Sequence, residues 1–154
     1  MEGNVEGPIL LATHGTENAV RAEDAAFELG RRLNVPVTAL YVVHENWAKM
    51  IGVDWLTSYS TRRTFIRHAE SELKKRADAV LDAVAAKGRG AGIEVRRVIR
   101  IGEPGQAMSD EAREMKAGLI VMGGRARKRS EEFKARIKMD RFLREAPCPV
   151  LVIP

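Results

Sequence analysis

The segment Ala117–Ala126, which reads AGLIVMGGRA, holds the pattern that indicates the fold of this 154-residue chain. Within it, the apolar run Leu119–Met122 stops at the pair Gly123-Gly124. A short apolar run between glycines is typical of a parallel strand that is buried on both faces. Because glycine carries no Cβ, a glycine pair at the end of a strand lets the backbone turn sharply and leaves its amides uncovered by Cβ atoms. Ligands of open α/β sheets bind at the carboxyl ends of central strands, so Gly123 and Gly124 are candidate binding residues.

The composition predicts one domain over residues 1–154, with a polar tail at residues 1–7. The chain is 45% hydrophobic and 31% charged. It has no apolar stretch near the roughly 20 residues that a membrane span requires, so no membrane association is expected. The tail lacks the basic and apolar regions of a signal peptide, and Cys148 is the only cysteine. A lone cysteine excludes an internal disulfide, which indicates a cytoplasmic protein, and Cys148 is expected to be an inert buried thiol.

The positive charge is concentrated in one segment. The formal net charge is +5, and Arg125–Arg144 contains nine basic and three acidic residues, so this segment carries +6 and the remainder −1. The run Arg125–Arg129 (RARKR) has three interpretations. It is a solvated loop, an arginine-based phosphate site that includes Arg125 and Arg127, or a nucleic-acid patch. Nucleic acid is disfavoured because such surfaces interleave aromatic side chains for base stacking, and the nearby phenylalanines fit the buried stripe of a helix.

Hydrophobic periodicity and turn signals predict five strands that alternate with four helices. The predicted strands are Pro8–Thr13, Val37–Val43, Ile93–Ile101, Leu119–Met122 and Val150–Ile153. The predicted helices run from Thr16 to about Leu33, from about Thr61 to Lys87, from Pro104 to about Lys116, and from about Glu131 to Glu145. Thr16 is the expected N-cap of the first helix, and Gly88 is expected to end the second.

This alternation predicts an α/β fold: a doubly wound, five-stranded parallel sheet in the order 3-2-1-4-5, with helices on both faces. The wholly apolar first and fourth strands belong in the centre, whereas the arginine-containing third strand fits an edge. The topological switch point then lies between strands 1 and 4. Thr13 and His14, at the end of strand 1, therefore join Gly123 and Gly124 as candidate binding residues.

Five short motifs, spread over nearly the whole chain, resemble those of the universal stress protein family. They are ILLATHGT (Ile9–Thr16), ALYVVHE (Ala39–Glu45), IGEPGQAM (Ile101–Met108), AGLIVMGGRA (Ala117–Ala126) and FLREAPCPVLVIP (Phe142–Pro154). Members of that family are cytoplasmic α/β proteins, commonly dimers, that accumulate under stress, and some of them bind ATP. The resemblance implies a stress-response regulatory module, with ATP or another adenine nucleotide as the implied ligand.

The ATP-binding branch of the family has a glycine-x-x-glycine turn after strand 4 and, nine residues later, a glycine followed by serine or threonine. Bare amides, a helix N-terminus and a hydroxyl hold the phosphates there. In this chain the first glycine is Gly123, but Ala126 replaces the second, and Arg136-Ile137 replace the later pair. His14 stands where that branch usually has an aspartate, while Val42 keeps the small apolar character expected beside an adenine ring. This degraded motif predicts at best weak, salt-sensitive binding of a nucleotide or another small anion.

Three features have two interpretations each. The glycine pair is either a purely structural turn or a phosphate cradle, and His14 is either a ligand contact or an ordinary loop histidine. The segment His44–Ser60, expected to be irregular, contains Trp47 and Trp55. It either covers the strand ends or forms a patch that faces a partner.

The sequence contains no Ser-His-Asp order with a nucleophile elbow, no paired carboxylates in a recognisable context, no P-loop lysine-serine pair and no metal-ligand spacing, so an enzyme is not expected. Two classes of function remain. One is a nucleotide-sensing module, which includes a true ATP binder with an altered loop, and the other is a ligand-free dimeric interaction protein. A homodimer is expected through the last strand, Val150–Ile153, because a short apolar edge strand pairs readily with a copy of itself.

Overall fold

The structure, a computed structural model, describes residues 6–15, 17–47, 59–124 and 139–154. Its strands are β1 (Ile9–Ala12), β2 (Val37–His44), β3 (Val95–Gly102), β4 (Leu119–Gly123) and β5 (Val150–Ile153). The helices in the described ranges are α1 (Glu17–Leu33), α2 (Tyr59–Gly90), α3 (Pro104–Glu114) and α4 (Met139–Glu145). All strand pairs are parallel and their order is β3-β2-β1-β4-β5, which confirms the predicted doubly wound fold.

β1 occupies the centre of the sheet. Ile9 pairs with Val37 of β2 on one side and with Leu119 of β4 on the other. Ile9, Leu10 and Leu11 are fully buried. β3, with two exposed arginines, and β5 form the two edges of the sheet. The polarity of the first, third and fourth strands therefore predicted their places in the sheet correctly, whereas β5 lies at an edge although its residues are apolar.

Successive residues of β1 face two separate hydrophobic cores, because side chains alternate across a strand. Leu11 belongs to a cluster with Phe27 of α1, and Leu10 belongs to a cluster with Met108 of α3 and Phe142 of α4. Helices thus cover both faces of the sheet, as predicted. No helix in the described part of the chain is long and apolar enough to cross a membrane.

Three helices end in the same way, with a left-handed residue followed by a buried or half-buried apolar one. The left-handed residues are Asn34 after α1 (φ 55°), Gly92 after α2 (φ 77°) and Lys116 after α3 (φ 53°). After α2, the amide of Ile93 donates to the carbonyl of Gly88 over 2.8 Å. This six-residue hydrogen-bonded turn satisfies a carbonyl in the last turn of the helix.

The second helix is longer than predicted. It begins at Tyr59 rather than Thr61 and ends at Gly90 rather than Lys87. The prediction that Gly88 ends the helix is wrong, because the later Gly92 supplies the positive φ. Ile93, the next residue, closes the helix with its hydrogen bond to Gly88, so the third strand begins two residues later than predicted. Apart from the last helix, the other limits differ from the predicted ones by at most two residues.

Some predictions lie outside the described residues. These are the Thr16 N-cap, the first part of the last helix, and residues 48–58 of the segment His44–Ser60, which include Trp55. The ends of that segment are more regular than predicted, since His44 completes β2 and the last two residues begin α2. Trp47 is half-buried.

Gly88 is required by the packing of α2 on the sheet rather than by helix termination. A Cβ at this position would lie 2.4 Å from Cγ2 of Val95 and 3.2 Å from Cε1 of Phe27. By contrast, a Cβ at Gly90, one half-turn later, would meet nothing within 4 Å. Gly88 therefore allows α2 to approach both β3 and α1.

We expect Gly88→Ala to lower the free energy of unfolding by about 1–3 kcal/mol, because the methyl group overpacks the α2–β3 contact. Gly90→Ala is the matched control, and it should raise the free energy of unfolding by about 0.5 kcal/mol because alanine favours the helix. Urea denaturation of both variants measures the difference. Equal stability of the two variants would contradict this account of α2 packing.

Candidate functional site

The carboxyl ends of β1 and β4 lie side by side at the switch point of the sheet. Ala12 pairs with Met122, so the residues that follow β1 and the end of β4 meet at one edge. The two strands lead to helices on opposite faces, since α1 packs in the Leu11 cluster and α4 in the Leu10 cluster. In doubly wound sheets this divergence opens a crevice above the strand ends.

The structure brings four of the predicted site residues to this edge: Thr13, His14, Gly123 and Gly124. Val42 lies in β2, two residues beyond Leu40, whose carbonyl accepts the Thr13 amide over 3.0 Å. It is half-buried and packs with the α3 side of the core. Val42 therefore reaches the same level as the end of β1. The predicted residues Arg125 and Arg127, together with Ala126, Arg136 and Ile137, lie outside the described residues.

The Thr13 side chain is directed into the protein. Thr13 is buried, and its Oγ1 donates to Oε1 of Glu23 on α1 over 3.0 Å. Glu23 is also buried, and its Oε2 accepts from Nζ of Lys87 on α2 over 3.3 Å. The Lys87 ammonium also lies 2.8 Å from Oδ1 of Asp24. The buried Glu23 carboxylate therefore links the end of β1 to α1 and α2, the two helices on that face of the sheet. No pattern in the sequence predicted this link.

The glycine pair at the end of β4 has a structural explanation. A Cβ at Gly123 would lie 2.9 Å from the backbone oxygen of Asn18 in the first turn of α1. The Gly124 amide donates to the carbonyl of Ile153 in β5 over 2.6 Å, and its own carbonyl accepts from Nδ2 of Asn18 over 3.1 Å. The expectation of open amides is therefore wrong for Gly124, because the sheet already uses that hydrogen.

His14 lies at the exposed end of β1 in a locally positive environment. Loss of water contact around the ring lowers the pKa of His14 from its usual value, and the charge of Arg76 on α2 lowers it further. Burial raises the pKa of Tyr41 in β2, and the same arginine opposes that rise. Both effects favour the neutral form of the His14 ring, and Arg76 contributes a positive charge that acts on residues at the end of β1 and in β2. No pattern in the sequence singled out Arg76.

Two open depressions elsewhere on the surface do not offer a better site. One, of about 410 Å³, lies at the amino end of β3, where parallel sheets do not bind ligands. The other, of about 320 Å³, lies at the carboxyl end of β3 and is lined partly by Arg100 and Glu103. Arg100 pairs with Glu111 at 2.7 Å, and Glu103 accepts the amides of Gly105 and Gln106. These charged groups hold α3 against the sheet and cap its first turn.

The described residues include neither a candidate metal site nor a reactive thiol. No group of three or more His, Cys, Asp and Glu side chains there is placed to hold a metal ion. Cys148 is half-buried just before β5, packed against the Leu10 cluster, and burial raises the pKa of its thiol. A raised pKa keeps the thiol protonated and poorly reactive, which agrees with the inert role expected for Cys148.

The sequence model of the universal stress protein family matches residues 7–154. The chain belongs to the universal stress protein family. Universal stress protein YxiE of Bacillus subtilis (strain 168) is 24% identical to it over 148 residues, which cover 94% of this chain and 97% of that protein. The predicted family resemblance is therefore confirmed.

Solved structures of the same family share the fold of this universal stress protein. A family member from Burkholderia pseudomallei is 26% identical with a TM-score of 0.67, over 98% of both chains. A universal stress protein from Archaeoglobus fulgidus, solved in complex with dAMP, has a TM-score of 0.63 and 21% identity over 98% of this chain and 100% of that one. At that identity the second likeness shows the fold alone.

Proposed function

We propose that this universal stress protein is a stress-response regulatory module that binds an adenine nucleotide weakly at the carboxyl ends of β1 and β4. The observation that carries the proposal is the meeting of Thr13, His14 and Gly123 at the switch point of the sheet, with the half-buried Val42 at the same level. A protein with the same fold was solved with dAMP, which makes an adenine nucleotide the ligand class of choice.

We expect weak binding because few of the groups that hold phosphates in the ATP-binding branch remain on the β4 side of the crevice. The Gly124 amide already donates to the carbonyl of Ile153 in β5. Ala126 and Arg136 stand where the ATP-binding motif has glycines, and Ile137 stands where it has serine or threonine. Arg125 and Arg127 then supply the attraction for a phosphate. Guanidinium groups hold phosphate oxygens well, but salt screens charges that remain in solvent. Binding should therefore depend strongly on ionic strength.

The nucleotide acts in this proposal as a bound signal and not as a substrate. Glu23, the carboxylate that meets the end of β1, is buried and already accepts from Thr13 and Lys87. It is therefore not placed to activate a water for attack on a phosphate. We place the protein in the cytoplasm, where adenine nucleotides are available to it.

Isothermal titration calorimetry with ATP, ADP and AMP at low and high salt tests the proposed function. We expect dissociation constants no tighter than about 10 µM at low salt, equivalent to about −7 kcal/mol, and a clear loss of affinity at high salt. The nucleotides should be recovered intact. Tight, salt-independent ATP binding would instead identify a true ATP binder with an altered loop. No heat with any nucleotide would favour a ligand-free interaction protein.

The last strand supports a second part of the proposal, a homodimer. β5 pairs with β4 alone among the described strands, so its outer edge is open. Val152 on this strand is 39% exposed, and Leu143 on the preceding α4 is 49% exposed. Pro149 and Pro154 flank the strand and donate no hydrogen bonds, which limits pairing to the residues between them. We propose that two copies pair through this edge about a two-fold axis.

Light scattering coupled to size exclusion tests the dimer. Wild-type protein should elute at twice the monomer mass of 17.1 kDa. Val152→Asp should shift the mass towards the monomer, because a desolvated carboxylate at a strand edge opposes pairing. Ile101→Asp, on the opposite and more exposed edge, is the matched control and should leave the dimer intact. A wild-type monomer at micromolar concentration would refute the proposed interface.

A further inference from the structure

The turn after β1 rests directly on α2. Gly15 has a positive φ of 75°, and a Cβ there would lie 3.0 Å from Cγ2 of Val80. α2 follows the carboxyl end of β2 and returns to the amino end of β3, so it runs antiparallel to the strands. Residues of α2 before Val80 therefore extend outward past the end of β1.

Arg76 lies one helical turn before Val80, on the same face of α2. A turn of four residues places it about 6 Å further outward than the contact with Gly15. Its neighbour Ala77 is fully buried, whereas Arg76 is exposed. Arg76 thus lies on α2 beyond the level of the turn that follows β1, on the side of the helix that meets this turn.

The effects of Arg76 on the pKa values of two residues in or next to the strands agree with this position of Arg76. The charge of Arg76 acts on His14 at the end of β1 and on Tyr41 in β2. His14 lies two residues beyond the end of β1 and Tyr41 lies in the neighbouring strand β2, so this charge acts on the part of the sheet beside the carboxyl end of β1. The neutral imidazole of His14 adds a hydrogen-bonding group without a competing negative charge.

We propose that Arg76 is a specificity-determining residue that recognises the phosphate of a nucleotide bound above β1. The inference rests on the proposed nucleotide-binding function and adds a cation on α2, outside the arginine-rich segment that follows β4. A planar guanidinium matches two phosphate oxygens at once, and a bond to a charged group is stronger than a neutral one. Arg76 therefore distinguishes a nucleotide from its nucleoside.

Arg76→Gln is the direct test, with AMP, adenosine and inorganic phosphate as the probes. Lys74→Gln is the matched control, because it removes one positive charge from the same helix turn but from another face. We expect Arg76→Gln to weaken AMP binding roughly tenfold, with adenosine binding unchanged. Arg76→Lys should recover part of the affinity, and Lys74→Gln should change it less than about twofold. Calorimetry at low salt measures all of these.

An NMR titration of the His14 ring gives a readout that needs no ligand. Arg76→Gln should raise the pKa of His14 and Lys74→Gln should leave it nearly unchanged, because only Arg76 is placed at the end of β1. Equal AMP affinity in Arg76→Gln and wild type would overturn the inference and leave the proposed function standing. Absence of AMP, phosphate and adenosine binding to the wild type would overturn both. An unchanged His14 pKa in Arg76→Gln would refute the placement itself.

Discussion

The close approach of α1 to the end of β4 is the constraint on which the crevice depends. Gly123 leaves no room for a side chain, because a Cβ there would lie 2.9 Å from the Asn18 carbonyl oxygen. The same asparagine binds the Gly124 carbonyl, and the Gly124 amide binds Ile153. One glycine pair thus joins the first helix to the last two strands. The distance between α1 and the end of β4 follows from this packing, so the glycines shape the site without offering the Gly124 amide to a phosphate.

The fold could be predicted from the sequence because its signals are local and strong. Apolar runs such as Leu119–Met122 indicate buried strands, and the arginines of the third strand indicate an edge. The end of α2 was harder to predict, because two glycines near it have different roles. Gly88 serves tertiary packing against Val95, and Gly92 serves the left-handed turn. Composition does not distinguish these roles, because contacts between distant elements decide them.

The candidate site was predicted only in part, for a similar reason. Motif positions correctly placed Thr13, His14 and Gly123 at one edge of the sheet. They carried no signal for Glu23, which meets Thr13 from α1, or for Arg76, whose charge acts on His14 from α2. Both are placed by helix packing rather than by a spacing along the chain. The electrostatics at the end of β1 are accordingly set in part by α1 and α2.

The central claim is that a nucleotide binds at the switch point between β1 and β4. Backbone amide chemical shifts, recorded by NMR while AMP is added at low salt, test it most directly. The account predicts the largest shift changes at Thr13, His14 and Gly15 and at Gly123 of β4, with smaller ones at Val42. Shift changes confined to the depression at the carboxyl end of β3, around Gly102, or the absence of any change at millimolar AMP, would contradict it.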